Sequence, residues 1–189
     1  MSAVRVFVAV EPPPEAREAL TRAIAAARDQ WSGIRWEATA KLHVTLRFLG
    51  EIPADDADAV CQAASRAAAR HLPFVARLEG VGCYPSVRNP RVVWIGTTTG
   101  AEELAMLQRS VEDELAAAGF GRDTRPFTAH LTVGRIKELL RGPQIGGLAV
   151  PVIDFPVERL LVKQSTLAPG GSLYTDRGSY PLGGQTRKE

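Results

Sequence analysis

Hydrophobic residues along this chain follow two periods, and the switches between them mark out the elements. Residues 4–10, VRVFVAV, are β-branched and aromatic and read as a strand. A proline run with the early Glu15 and Glu18 suits the first turns of a helix, and Leu20, Ile24 and Ala27 fall on one face of it. IRW (34–36) and KLHVTLRFL (41–49) return to strand character. The segment ADDADAVCQAASRAAARH (54–71) opens on acids and closes on Arg70 and His71, the charge order of a helix. Its alanine-rich middle reads as helix propensity, and His71 as a surface residue or one that meets the helix dipole. FVARLEGVGCY (74–84) is a further strand, a proline-rich loop spans 85–90, and RVVWIGTT (91–98) resumes strand character. A third helix is expected over 101–118, ended by Gly119. FTAHLTVGRI (127–136), a Gly/Pro loop near 142–147, and the strands VERLLVKQST (157–166) and SLYTDRGSYPL (172–182) complete the series. The tail GGQTRKE is expected to fray.

The series repeats. Moving the first half 87 positions along the chain lays His43 on His130 and HVTL on HLTV. The same shift puts Arg5-Val6-Phe7-Val8-Ala9 on Val92-Val93-Trp94-Ile95-Gly96, with Phe7 over Trp94, and the first helix on the third. Each half reads strand, helix, histidine strand. Two copies make no solenoid. The pattern predicts an α+β protein: a bilobal, duplicated α/β unit with two mostly antiparallel sheets facing a central cleft about a pseudo-twofold axis. Residues 1–189 form one domain in this reading, with the motifs at 43–46 and 130–133, and the strand order is left open.

The repeated polar pair points to chemistry. On a strand, residues i and i+2 share a face, so His43 projects with Thr45 and His130 with Thr132. Val44, Leu46, Leu131 and Val133 then point into the core. Two such strands related by a twofold gather two imidazoles and two hydroxyls around one point. Threonine hydroxyls donate to non-bridging phosphoryl oxygens. Imidazole, with an unperturbed pKa of about 6.5, both gives and takes a proton near neutrality. One HxT alone carries no such message, because a single strand histidine is usually structural. Two histidines without nearby carboxylate or cysteine ligands make a poor metal site, and no metal or cofactor is expected.

The position five residues into each motif differs: Phe48 in the first, Arg135 in the second. Strict alternation turns both away from the site, whereas a bulge brings them back, Arg135 to clamp a phosphate oxygen and Phe48 to stack on a base or ribose. Around the second motif Arg122, Arg125, Arg135 and Lys137 outnumber Asp123, which would steer an anion.

Composition narrows the class. The chain has 189 residues, 45% hydrophobic and 23% charged, with net charge +2, too mild for wrapping a nucleic-acid duplex. No apolar run approaches the roughly 20 residues of a membrane span. The opening MSAVRVFVAVEPPP lacks signal-peptide character, and Cys61 and Cys83 form no framework, so a reducing cytoplasm is expected, with no membrane partner and a monomer by default.

Paired HxTx motifs half a chain apart resemble those of the 2H phosphoesterase superfamily. Within it, RVFVAV, KLHVTLRFLGE, RVVWIG, RPFTAHLTVGR and STLAPGGSLYTDRGSYPL resemble the RNA 2′,3′-cyclic phosphodiesterases, also called 2′-5′ RNA ligase-like proteins, over essentially the whole chain. The resemblance implies hydrolysis of RNA ends or nucleoside 2′,3′-cyclic phosphates to 2′-phosphomonoesters. It implies His43 as proton donor, His130 as proton acceptor, and Thr45, Thr132 and Arg135 as holders of the phosphate. Ala129 stands where relatives often carry proline, which alters backbone stiffness. Gly134 stands where a larger residue is frequent, which is expected to widen the pocket. Alternatives are reversible 2′-5′ RNA joining, another cyclic-nucleotide substrate, or a noncatalytic RNA-end or nucleotide binder.

Overall fold

A computed structural model describes residues 2–28, 33–136, 147–169 and 171–183. Its elements in chain order are β1 (Ala3–Val10), α1 (Pro14–Ala27), β2 (Ile34–Trp36), β3 (Val44–Pro53), α2 (Ala57–Ala69), β4 (Phe74–Tyr84), β5 (Val92–Thr97), α3 (Ala101–Ala117), β6 (His130–Ile136), β7 (Ile153–Val157), β8 (Arg159–Ala168) and β9 (Gly171–Pro181). Short 3₁₀ turns at Thr39–Lys41 and Ala54–Asp56 lead into β3 and α2. The expected helices and strands are present, and Gly119 ends α3 with φ +94°. The Gly/Pro stretch 142–146, Lys137 and the tail from Gly184 lie outside the described residues.

The strands form one mixed-length antiparallel surface in the order β7-β4-β5-β6-β3-β1-β8-β9, with β2 beside β6. Its two halves are the two expected sheets. They meet along β3 and β6 at a single bridge pair, Val44 with Leu131, both fully buried. The repeat exchanges a strand between lobes. Under the 87-residue shift β4 corresponds to β8, yet β4 pairs with β5 of the second repeat while β8 pairs with β1 of the first. Each lobe is thus closed by a strand from the other repeat. After β6, the described residues opposite α2 in the shift, 147–156, run into β7 without an α-helix.

β7 was not expected. Pro156 breaks its strand pattern, but β7 lies at the edge of the sheet, where a residue without an N–H costs no ladder bond. Alternation along β1 and β3 turns Val6, Val8 and Val10, then Val44 and Leu46, to the helical side. There they meet Leu20 and Ile24 of α1, Val60 and Ala64 of α2, and Leu104, Leu107 and Val111 of α3. Fully burying a side chain of this size contributes about 1.5–3 kcal/mol. Apart from Gln108 of α3, the described residues lining the opposite face of the seam come from strands, turns and loops.

Polar links run between these elements. Arg47 of β3 ion-pairs with Glu112 of α3 at 3.0 Å, with both side chains at most 10% exposed. Arg47 also donates to the Gly121 carbonyl, and Glu112 accepts from the Asp123 N–H at 3.2 Å. The segment after α3 is thereby tied to the first lobe. His71 hydrogen-bonds with the Ser110 hydroxyl at 2.7 Å, joining the end of α2 to α3. Burial, with Arg70 beside it, lowers the His71 pKa below its ordinary value.

Candidate active site

The single bridge Val44–Leu131 decides the geometry of the cleft. In an antiparallel pair it brings His43 across from Thr132 and Thr45 across from His130, all on the face that Val44 and Leu131 avoid. The two imidazoles occupy one diagonal of this square and the two hydroxyls the other. In a regular ladder such a diagonal spans about 7–8 Å. All four residues line one cleft of about 960 Å³ between the lobes.

Both rings are aimed the same way. His43 Nδ1 donates to the Lys41 carbonyl at 2.6 Å, and His130 Nδ1 donates to the Thr128 carbonyl at 2.7 Å. Each bond spans two residues, so the turn before β3 and the strand entry of β6 fix the same tautomer. That leaves each Nε2 with a lone pair directed to the cleft. The pairs differ in one respect. Thr45 donates its hydroxyl to His43 Nε2 at 2.9 Å, whereas no protein group among the described residues bonds His130 Nε2.

Each imidazole packs beside two aromatic rings that also touch each other. Phe7 lies 4.9 Å and Tyr174 5.6 Å from His43, centroid to centroid. Tyr84 lies 5.1 Å and Trp94 5.9 Å from His130. The Phe7–Trp94 correspondence was visible in the 87-residue shift, but its place beside the histidines was not. Tyr84 and Tyr174 were missed, because they come from strands that pair only after the exchange between lobes. Trp94 packs where a side chain is missing: a Cβ on Gly82 would stand 2.2 Å from its indole ring.

Burial among these rings lowers the His43 pKa below its ordinary value. The Lys41 carbonyl bond and the Glu11 carboxylate oppose that shift, and Lys163 adds to it. Lys163 is itself buried, held by Glu11 at 2.6 Å and Asp176 at 2.5 Å. Burial also raises the Tyr174 pKa, keeping its phenol protonated.

The fifth positions reach the cleft by matching bulges. Ala9 pairs with Thr45 and Val8 with Arg47, so Leu46 is an extra residue in β3. Trp94 pairs with Thr132 and Val93 with Gly134, so Val133 is an extra residue in β6. Leu46 and Val133 are equivalent under the 87-residue shift. Each bulge resets the alternation, and Phe48 and Arg135 both line the cleft. Phe48 is 40% exposed, with the Arg5 guanidinium 5.1 Å above its ring. Arg135 Nε donates to Glu37 at 3.3 Å. Arg125 also lines the cleft, gripped by Asp123, whose pKa these bonds pull down to about 2. Arg122 instead pairs with Asp113 and is absent from the cleft lining.

Gly134 does not widen the pocket. A Cβ there would stand 2.6 Å from Ile34 and 3.2 Å from Trp36, so the space is filled by β2, which can pair closely with β6 because the side chain is missing. Among the described residues no three His, Cys, Asp or Glu side chains gather as a metal site, and no helix is long and apolar enough to cross a membrane.

Comparison with known proteins agrees with the duplication. The family model for LigT-like phosphoesterases matches twice, over residues 10–94 and 95–174. The chain is 35% identical over 178 residues to an RNA 2′,3′-cyclic phosphodiesterase of Archaeoglobus fulgidus, covering 92% of this chain and 97% of that one. A crystal structure of a Thermus thermophilus protein superposes with a TM-score of 0.82 at 30% identity, over 96% of this chain and 100% of that one. Escherichia coli LigT complexed with 3′-AMP superposes with a TM-score of 0.77 at 28% identity, over 96% and 99%. With one family match on each half and a relative this similar along nearly its whole length, the chain belongs to the LigT-like phosphoesterase family.

Proposed function

We propose that this protein hydrolyses 2′,3′-cyclic phosphate ends of RNA to 2′-phosphomonoesters, with paired-histidine acid–base catalysis and without a metal. The observation that carries the reading is the square of two imidazoles and two hydroxyls on the β3–β6 seam. The names and ligands of the relatives, an RNA 2′,3′-cyclic phosphodiesterase and a LigT that holds 3′-AMP, support the substrate class.

In this reading the cyclic phosphate lies between the two Nε2 atoms. His130 Nε2, whose lone pair meets no protein donor among the described residues, takes a proton from water as the water oxygen bonds to phosphorus. The bond from phosphorus to the 3′ oxygen breaks, and His43 Nε2 delivers a proton to that oxygen. The products are a 2′-phosphomonoester and a free 3′ hydroxyl. Thr45 and Thr132 donate to the non-bridging oxygens, and Arg135 adds charge. Phe48 offers an apolar face for the base or ribose.

His43 rests neutral, because burial lowers its pKa. The anionic substrate favours the charged ring and so draws in the proton that His43 must donate. A donor with a lowered pKa loses its proton from the free protein as pH rises. The value of kcat/KM is therefore expected to fall with rising pH already below the ordinary imidazole value of about 6.5. An assay following nucleoside 2′,3′-cyclic phosphate by ³¹P NMR tests the proposal. The expected result is a single 2′-phosphate product, a rate unchanged by EDTA, and that decline of kcat/KM with rising pH. A 3′-phosphate product, loss of rate in EDTA, or no turnover of any cyclic phosphate would each contradict it.

A further inference from the structure

A tyrosine stands beside each histidine, and the two lobes reach that arrangement by different routes. In the second lobe Tyr84 of β4 lies directly across from Val92 of β5. Under the 87-residue shift Val92 corresponds to Arg5 of β1, which lies across from Ser165 of β8. Ser165 therefore holds the place that Tyr84 holds in the other lobe, and it brings no ring. Tyr174, the partner of Ser165 on β9, supplies one from a strand further out. Its ring meets Phe7 at 5.0 Å and His43 at 5.6 Å, edge-on to both. Tyr84 is likewise edge-on to His130. The repeat does not supply this likeness, because the shift takes Tyr84 to Gly171.

Packing accounts for the ring of Tyr174 but not for its hydroxyl, since a phenylalanine would make the same contacts with Phe7 and His43. A buried phenol normally finds a partner. Among the described residues no protein group bonds this one, and its oxygen is not sealed from solvent. Tyr174 lines the cleft with His43 and Thr45. The charges that act on its phenol come first from Glu37 and Arg135, then from Arg5 and Lys163 of its own lobe. The first two lie on the far side of the seam, Arg135 within β6 and Glu37 through its N–H, which donates to the Val133 carbonyl at 2.8 Å. The hydroxyl is thus turned across the cleft, and burial keeps it protonated as a donor.

The His43 side of the square is short of such a donor. His43 Nδ1 is committed to the Lys41 carbonyl, so Nε2 is an acceptor and takes the Thr45 hydrogen at 2.9 Å. Thr132 has no such bond to His130 among the described residues, and its hydrogen is ready for an incoming anion. Thr45 is released only when His43 Nε2 gains a proton and the bond reverses. We infer that the Tyr174 hydroxyl is a further substrate contact, donating to a non-bridging phosphoryl oxygen on the His43 side of the site. It meets the anion before Thr45 is released, and it holds that oxygen as negative charge builds on it in the transition state. The inference rests on the reading of the histidine site given above.

Tyr174→Phe keeps the ring and removes the donor. Its Tm and circular dichroism are expected to match those of the native protein. Its kcat/KM for a nucleoside 2′,3′-cyclic phosphate is expected to fall about tenfold, the effect of one hydrogen bond to a charged group. Binding of inorganic phosphate, followed by ³¹P NMR titration, and of a nucleoside 2′-phosphate, followed by calorimetry, should weaken by about the same factor. A loss confined to the nucleoside 2′-phosphate would place the contact on the ribose or base and overturn the assignment. Incorporation of 3-fluorotyrosine at position 174 gives a second reading in a protein that keeps its phenol. The ¹⁹F resonance is expected to move on addition of inorganic phosphate, and a stationary resonance overturns the contact. Absence of turnover by the native protein, with phosphate binding still weakened by Tyr174→Phe, refutes the hydrolytic reading alone. Native phosphate affinity in Tyr174→Phe, with turnover intact, refutes the contact alone.

Discussion

Replacing either His43 or His130 by alanine is expected to slow hydrolysis of a nucleoside 2′,3′-cyclic phosphate by about 10²–10⁴-fold. Each ring performs one proton transfer in the proposed step, and neither has a second imidazole within its own motif to substitute. The losses should not add in the double variant, because both rings serve the same bond exchange. The fold should survive. Both side chains face the cleft, and their ring bonds run to carbonyls only two residues away. Kinetics with circular dichroism and thermal unfolding of each variant make the check. A variant that keeps native secondary structure and native rate removes that histidine from the chemistry.

Arg47→Ala is expected to destabilise the protein by about 3–5 kcal/mol, the cost of leaving a buried carboxylate without its cation. Among the described residues Glu112 would keep the Gln108 amide at 3.3 Å and the Asp123 N–H at 3.2 Å. Total stability of a domain is about 5–15 kcal/mol, so this variant stands near the threshold of unfolding. The damage should reach the cleft, because the same link holds the segment that carries Asp123, Arg125 and Phe127 to its wall. Pairing Arg47→Met with Glu112→Leu removes both charges and should recover most of the loss. Urea unfolding of the two variants makes the measurement. Equal destabilisation by the single and double variants would show that packing, and not the orphaned charge, is at stake.

The sequence was most legible where one local period governs a whole element. β1, α2, β4 and α3 lie close to where their hydrophobic patterns put them, and the duplication was visible from two histidine strands and the Phe7–Trp94 overlay. The candidate site was legible for the same reason: period two on a strand joins His43 to Thr45 and His130 to Thr132. What escaped depends on contacts distant in sequence. The exchange of β4 and β8 between lobes leaves no local mark, and it is this exchange that brings Tyr84 and Tyr174 to the histidines. Bulges at Leu46 and Val133 have no compositional signal either, though without them Phe48 and Arg135 would face the wrong side. Gly134 misled in the opposite direction. A missing side chain suggested room in the pocket, whereas Ile34 and Trp36 fill it and carry Arg35 to the cleft. β7 was hidden by Pro156, a residue that a sheet tolerates only at its edge.

The central claim is that two imidazoles from different halves of the chain grip one phosphoryl group from opposite sides. A crystal structure with a nucleoside 2′,3′-cyclic vanadate, which mimics five-coordinate phosphorus, tests it most directly. The expected result has His43 Nε2 and His130 Nε2 each within about 2.6–3.2 Å of opposite apical oxygens, with the Thr45 and Thr132 hydroxyls on equatorial ones. Vanadate held by one histidine alone, or seated elsewhere in the cleft, would contradict the account.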